Sequence, residues 1–297
     1  MKNRRRFVPW LYSLPALLLV VLVIVFPIIY TGYISLTNMN LFHWSDYSVI
    51  GLANYARALL KADSGFLTAL LTTIVWTVLN MVLQIVIAYF IALGLNTEGL
   101  KGKRIYKTLL MFPWAMPAYV SILLWRVGMY NTEFGFLNKL LVLFGLPKMN
   151  FLSTNVPAFL SCMVLNLWMA LPFMIMMVDG ALQSIDNSYY ESAKLDGAGF
   201  WAKNIHITIP SMKGILAPAV IMTTFTTFKQ FDIVYLLTMQ KGAYSGATLQ
   251  TVITYAQQNA FVSNNYGLSS AVSIIIFLLI MLFSVFTNRG IKEESND

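Results

Sequence analysis

Residues 66–95 read FLTALLTTIVWTVLNMVLQIVIAYFIALGL and contain no charged side chain. A helix needs about 20 apolar residues to cross a bilayer. Charge-free runs also occupy residues 7–45, 149–178 and 242–288. Only 11% of the 297 residues are charged, whereas soluble chains average about 25%. These features predict an all-α integral membrane protein, and they exclude a water-soluble enzyme and a disordered chain.

Six transmembrane spans account for the apolar runs. They are predicted at residues 9–36, 66–95, 105–125, 153–178, 215–237 and 267–288. Together they form a transmembrane domain over residues 9–288, with tails at residues 1–8 and 289–297. The first apolar run is longer than the core of a cleavable signal peptide, so it is expected to remain as the first span. Prolines in or beside five of the spans predict kinked helices.

Lysine and arginine residues are distributed unevenly between the two sides of these spans. Thirteen lie in the tails and in the loops at 96–107 and 179–214, and seven lie in the alternate loops. Cytoplasmic segments carry the excess of basic residues, so both termini are predicted to be cytoplasmic. The net charge of +8 is then explained by contacts with the lipid bilayer, and no nucleic-acid partner is expected. The single cysteine and two distant histidines predict no metal site.

The loop at 186–210 contains a helix-turn-helix pattern. Asp186 or Ser188 can cap the start of a first helix, and Gly197 can adopt the left-handed conformation that ends it. A second helix is predicted from about residue 199 to Pro210. On shape alone, an ordinary structured loop explains the pattern equally well.

The residues of this loop resemble the EAA coupling motif of importer-type ABC transporter permeases. The matching positions are Glu191, Ser192, Ala193, Asp196, Gly197, Ala198 and Pro210. Serine at 192 stands where the motif usually has alanine. The resemblance runs from about Pro113 to the C-terminus and is to the carbohydrate-uptake group, including the larger membrane subunit of the maltose transporter. It implies a type I importer permease fold, with six transmembrane helices and a short cytoplasmic coupling helix-turn-helix.

The resemblance also implies transport without catalysis by this chain. The sequence has no Gly-x-x-x-x-Gly-Lys-Ser/Thr loop for phosphates, so ATP hydrolysis is expected on a partner chain. Such permeases form the path for a sugar or oligosaccharide through the cell membrane of a prokaryote. The implied partners are a second permease subunit of different sequence, a cytoplasmic ATPase dimer and an extracellular solute-binding protein. No cofactor and no metal are expected.

Polar side chains in the fourth and fifth spans predict a solute path, because such groups are costly in hydrocarbon. By resemblance to the maltose subunit, the path positions are Trp114, Asn166, Phe173, Thr223, Thr227 and Gln230. The spacing of Thr223, Thr227 and Gln230 also predicts one face of a helix. Two alternatives remain for these residues. Threonines can join helices within the membrane, and Trp114 can anchor a span at the interface.

Two other functions are compatible with a protein of several spans. An ion-coupled secondary transporter would act without an ATPase, but Asp232 is the only carboxylate predicted within a span, and Lys229 can neutralise it. A membrane-embedded enzyme needs a nucleophile with its base, or a set of metal ligands, and neither pattern is present. The importer permease is therefore the favoured prediction.

Overall fold

The computed structural model describes residues 4–61, 65–239 and 249–294, which are mostly helical. In chain order the α-helices are α1 (Arg4–Val20), α2 (Phe26–Ser35), α3 (Ala53–Leu60), α4 (Phe66–Leu95), α5 (Lys103–Ala115), α6 (Ala118–Leu124), α7 (Phe136–Leu143), α8 (Asn155–Gln183), α9 (Asn187–Leu195), α10 (Phe200–Lys203), α11 (Ile209–Phe228), α12 (Asp232–Val234), α13 (Val252–Phe261) and α14 (Tyr266–Glu294). Wider π-helical turns occur at Val21–Val25, Trp125–Met129, Asn204–Thr208 and Tyr235–Met239. The predicted tails, residues 1–8 and 289–297, fall partly outside the described residues.

Five helical segments within the described ranges are long and apolar enough to cross a membrane. They are Tyr12–Ser35, Phe66–Leu95, Asn155–Gln183, Phe200–Met239 and Tyr266–Thr287. A further pair, α5 with the segment Ala118–Met129, passes the same test but is bent by 92° at a short break. Counting this pair as one span gives the six that the sequence predicts. The all-α membrane architecture is therefore confirmed.

Two neighbouring residues explain the sharp bend in the third span. Met116 has an extended backbone, with ψ of 141°, and Pro117 caps the start of α6. A residue that precedes a proline avoids the helical region because of a clash with the proline ring. The sequence predicted one kinked helix over 105–125, but the structure has two helices close to a right angle.

The second helix of the 186–210 loop does not end at Pro210, and this prediction is wrong. Helical structure starts at Phe200 and continues through the π-helical turn Asn204–Thr208 into α11. Pro210 lies in the first turn of α11. It directly follows the π-helical turn, in which backbone hydrogen bonds join residues five apart instead of four. A proline costs little at such a position, because its missing N–H is not needed.

The fifth span is also interrupted, whereas one continuous helix was predicted over 215–237. α11 ends at Phe228, and residues 229–231 separate it from α12. Of the two residues that the sequence placed on one helix, Lys229 lies within this break and Asp232 is the first residue of α12. The break therefore divides the span into a long helix and a shorter helical segment that reaches Met239.

The chain divides into two compact units, one with residues 1–69 and 252–281 and one with residues 70–251 and 282–297. In the first unit, the Asn54 amide donates hydrogen bonds to the carbonyls of Ser35 and Thr37, at 2.9 and 2.7 Å. Gly267 permits close packing there, because a Cβ atom would lie 2.2 Å from the Thr37 carbonyl oxygen. These contacts join α3 and the start of α14 to the end of α2.

The second unit is built around α4 and α8, which contribute to both of its apolar clusters. One cluster includes Trp76, Ile122, Leu165, Ile233 and Leu237. The other includes Met81, Ala88, Met174, Val178 and Met212. α5 and α11 each pack against α8. Polar groups on α4 and α8 are therefore held in the interior of this unit.

Candidate functional site

The helix α9 begins with a side-chain cap. The Asp186 carboxylate accepts a hydrogen bond of 2.9 Å from the backbone N–H of Ser188. This bond stabilises the charged carboxylate and lowers the pKa of Asp186 below its ordinary value. Of the two caps that the sequence allowed, the structure contains Asp186.

α9 ends in a glycine turn of the Schellman type. Gly197 has a φ of 76°, in the left-handed region. The N–H groups of Gly197 and Ala198 donate to the carbonyls of Lys194 and Ala193, at 3.2 and 2.9 Å. This pair of bonds satisfies carbonyls that the end of a helix would otherwise leave unpaired. The predicted left-handed glycine is confirmed.

Most of the predicted coupling positions are open to the surroundings of the chain. Those exposed are Glu191, Ser192, Asp196, Gly197 and Pro210, and those half-buried are Ala193 and Ala198. Beside them, Leu195 is 90% exposed.

Side chains also tie α9 to the transmembrane helices. The Tyr190 hydroxyl is 3.0 Å from the Thr208 hydroxyl, in the π-helical turn that leads into α11. The Tyr89 hydroxyl on α4 donates a hydrogen bond to Asn204 of the same turn. A cleft of about 610 Å³ lies beside these bonds, lined by both Tyr190 and Asn204. The chain and the Tyr190–Thr208 contact therefore both connect α9 to this turn.

The structure places the predicted solute-path residues in different environments. Those buried are Asn166, Thr223 and Thr227, those half-buried are Phe173 and Gln230, and Trp114 is 56% exposed at the end of α5. Gln230 lies beyond the last residue of α11. The prediction that Gln230 shares one helical face with Thr223 and Thr227 is therefore wrong.

A series of hydrogen bonds brings two of these residues together through α4. Asn166 Nδ2 donates to Asn80 Oδ1 at 2.7 Å, and Asn80 Nδ2 donates to the Trp76 carbonyl at 2.8 Å. The indole N–H of Trp76 donates to the Thr227 carbonyl at 3.2 Å. Polar bonds therefore join α4, α8 and α11 inside the second unit.

Asn80 belongs to a buried polar stripe on α4 that was not predicted. The stripe consists of Thr73, Thr77, Asn80 and Gln84, all buried. Their spacing of three and four residues puts them on one helical face, a signal that was readable in the sequence. The Gln84 side chain has no hydrogen-bond partner for Nε2 or Oε1 among the described residues.

Comparison with known proteins identifies the family of this chain. Residues 84–289, from the last residue of the polar stripe through the capped helix α9 to the last span, match the binding-protein-dependent transport system inner membrane component family. The chain belongs to this family. As a member of this family with several apolar helices, it is a multi-pass membrane protein.

Relatives within the family match nearly the whole chain. The trehalose/maltose transport system permease protein MalF of Thermococcus litoralis is 32% identical, over 96% of this chain and 94% of its own length. The galactooligosaccharides permease GanP of Bacillus subtilis is 29% identical, over 97% and 71%. The maltodextrin permease MdxF of the same organism is 30% identical, over 97% and 70%.

Solved structures show the same fold. A bacterial ABC transporter for import of the acidic polysaccharide alginate contains a chain with a TM-score of 0.81 and 20% identity, over 98% of this chain and 97% of that one. A chain of an amino acid ABC transporter has a TM-score of 0.53 and 17% identity, over 80% of this chain and 97% of that one. The predicted type I importer permease fold is therefore confirmed.

Proposed function

We propose that this chain is a permease subunit of an ATP-binding-cassette importer and forms the membrane path for a sugar or oligosaccharide. The observation that carries the proposal is the 32% identity to a trehalose/maltose permease over 96% of the chain. The other two relatives compared above are also named for oligosaccharide transport. An extracellular binding protein delivers the solute, a second permease of different sequence completes the path, and a separate ATPase dimer drives transport.

In this proposal α9 is the element that the ATPase grips. It is short, capped at both ends and exposed along its motif residues, so it can move as a rigid body. Glu191 offers a charged contact to the ATPase. The Tyr190–Thr208 bond passes the movement to the turn before α11.

The proposed sugar path uses two kinds of side chain. Hydroxyl and amide groups of Thr223, Thr227, Asn166 and Gln230 replace water around the sugar hydroxyls, and the rings of Trp114 and Phe173 cover the sugar's C–H surfaces. The sugar is therefore held by neutral hydrogen bonds and by apolar contact with the two rings. Because the two threonines and Asn166 are buried in this structure, the proposal requires the helices around them to separate during transport.

The proposed orientation places both tails, residues 1–8 and 289–297, in the cytoplasm of a prokaryotic cell. Thirteen of the 20 lysine and arginine residues support it. The same orientation puts α9 on the cytoplasmic side, where an ATPase has access to it. The transmembrane domain of residues 9–288 then spans the cell membrane six times.

Uptake measurements test the proposal directly. The chain is produced with its partner permease, and labelled trehalose, maltose, maltodextrin and galactooligosaccharide are offered with and without the ATPase and the binding protein. Uptake of at least one of these sugars is expected only when every component is present. Glu191→Lys is expected to abolish uptake while the chain still reaches the membrane. Uptake that follows an ion gradient without an ATPase would instead support a secondary transporter.

A further inference from the structure

A buried carboxylate at the end of α8 joins three helices of the second unit. Asp179 exposes 3% of its side chain, and its Oδ2 atom forms an ion pair with the Lys107 ammonium. The amide of Asn96 donates to Oδ1 at 2.9 Å, and the amide of Gln183 donates to Oδ2 at 2.7 Å. The predicted fourth span stopped at residue 178, so sequence reasoning missed this group.

A second lysine completes what we call the Asp179 cluster, which consists of Asp179, Asn96, Lys103, Lys107 and Gln183. Lys103 Nζ donates to Asn96 Oδ1 at 2.7 Å and lies 4.0 Å from Asp179 Oδ1. The two lysines are one turn apart on α5, so they share a face of that helix. Asn96 directly follows α4, and Gln183 is the last residue of α8.

The cluster fixes the relative position of helices more than it adds stability. A buried charge is costly unless it is paired, and buried ion pairs can often be replaced by apolar residues without loss of stability. Hydrogen bonds, including those between the charged groups of an ion pair, are directional, whereas apolar contact is not. The Asp179 cluster therefore holds the ends of α4, α5 and α8 in one register.

The cluster is also close to α9 along the chain. Only residues 184–186 separate the last residue of α8 from the first residue of α9. A displacement of α9 therefore acts on the end of α8, beside Asp179. The lysines of α5 are bonded to that end, so α5 has to move with it as long as the ion pair persists.

We propose that Asp179 is a positioning residue for energy coupling, whose ion pair with Lys107 makes α5 and the end of α4 follow α8 when α9 is displaced. The inference rests on the proposed function, because it requires an ATPase that acts on α9. The Tyr190–Thr208 contact connects α9 to the fifth span. The Asp179 cluster adds a second connection, from α9 to the second and third spans.

The test uses the complete transporter, with partner permease, ATPase and binding protein, in proteoliposomes. The readout is the number of sugar molecules imported for each ATP hydrolysed. Lys107→Gln leaves the Asp179 carboxylate, 3% exposed, without its ion-pair partner, so the amount of assembled complex is measured beside the ratio. Lys107→Gln is expected to lower the ratio, because α5 then no longer has to follow α8 when ATP is hydrolysed. Lys107→Arg keeps the charge and is expected to preserve the ratio.

A double variant, Asp179→Leu with Lys107→Leu, separates positioning from stability. The apolar pair is expected to restore assembly without restoring the ratio, because it fills the space but fixes no register. Glu133→Gln is the matched control, since its ion pair with Lys148 is exposed, and it should leave the ratio unchanged.

The inference is overturned if Lys107→Gln keeps the parent ratio, if Lys107→Arg is as damaging as Lys107→Gln, or if the apolar pair recovers coupling. Failure of the proposed function looks different. In that case the unmodified complex imports none of the four sugars, and both proposals fall together.

Discussion

The pair Asn80–Asn166 offers the sharpest test of whether the predicted solute path is a path or only a packing contact. Asn166 exposes 6% of its surface and already donates its amide to Asn80. Leucine branches at the same position as asparagine but cannot form hydrogen bonds. The perturbations are therefore Asn166→Leu, Asn80→Leu and the double variant.

The magnitudes follow from which atom is left without a partner. Asn166→Leu leaves Asn80 Oδ1 unpaired in the interior, which costs about 1–3 kcal/mol. In a membrane the average for such an interhelical bond is lower, about 0.6 kcal/mol. Each single variant is therefore expected to lower the free energy of unfolding by about 0.6–3 kcal/mol. The double variant should lose less than the sum, because it leaves neither side chain of the pair unpaired.

Stability in detergent and sugar uptake at several concentrations are measured for all three variants. If Asn166 contacts the solute, its loss weakens apparent affinity by about 0.5–1.5 kcal/mol, or roughly a few-fold to tenfold. The double variant is then expected to recover stability but not affinity. A double variant whose uptake equals that of the parent would refute the solute role and leave Asn166 as a packing residue.

Three further perturbations test other parts of the proposal. Gly197→Val forces a β-branched residue into the left-handed region, at a cost of at least about 1–2 kcal/mol, and should abolish uptake while the chain still appears in isolated membranes. Thr227→Val should reduce uptake, whereas Thr226→Val should match the parent, because Thr226 is exposed and bonded to a carbonyl of its own helix. If both threonine variants are equally damaging, the path has been assigned to the wrong face. In a cysteine-free background, Ser48→Cys should react with an impermeant thiol reagent in sealed cells and Lys101→Cys should not. Labelling of position 101 would reverse the orientation.

The spans were predictable because apolar runs between charges directly report helices that cross a bilayer. The predicted span at 66–95 coincides with α4, from Phe66 to Leu95. The Asp186 cap and the Gly197 turn were also readable, since each depends on a few adjacent residues. The family resemblance at the 186–210 loop came from the same kind of local pattern.

Features that depend on hydrogen-bond register or distant partners were not predictable. Prolines 113 and 117 indicated a kink, and a residue before a proline is expected to leave the helical region, but no residue pattern reports the size of the bend, 92°. The helix through Pro210 depends on a preceding π-helical turn, which no residue pattern reports. Asp179 pairs with a lysine 72 positions earlier in the chain, so neither residue alone indicates the contact.

The three interhelical polar links of the second unit have a common consequence for its movements. They are the Trp76–Thr227 bond, the Asn80–Asn166 bond and the Asp179–Lys107 ion pair. Two of them hold α4 at positions about one turn apart, and the third holds α5 to the end of α8. In a membrane, sliding one apolar helix surface along another changes the free energy little. Breaking one of these links costs the free energy of a hydrogen bond or ion pair. Movement of this unit as one rigid body breaks none of the three links. The helix separation that the sugar path requires breaks the Asn80–Asn166 or the Trp76–Thr227 bond, so opening the path costs more than displacing the unit as a whole.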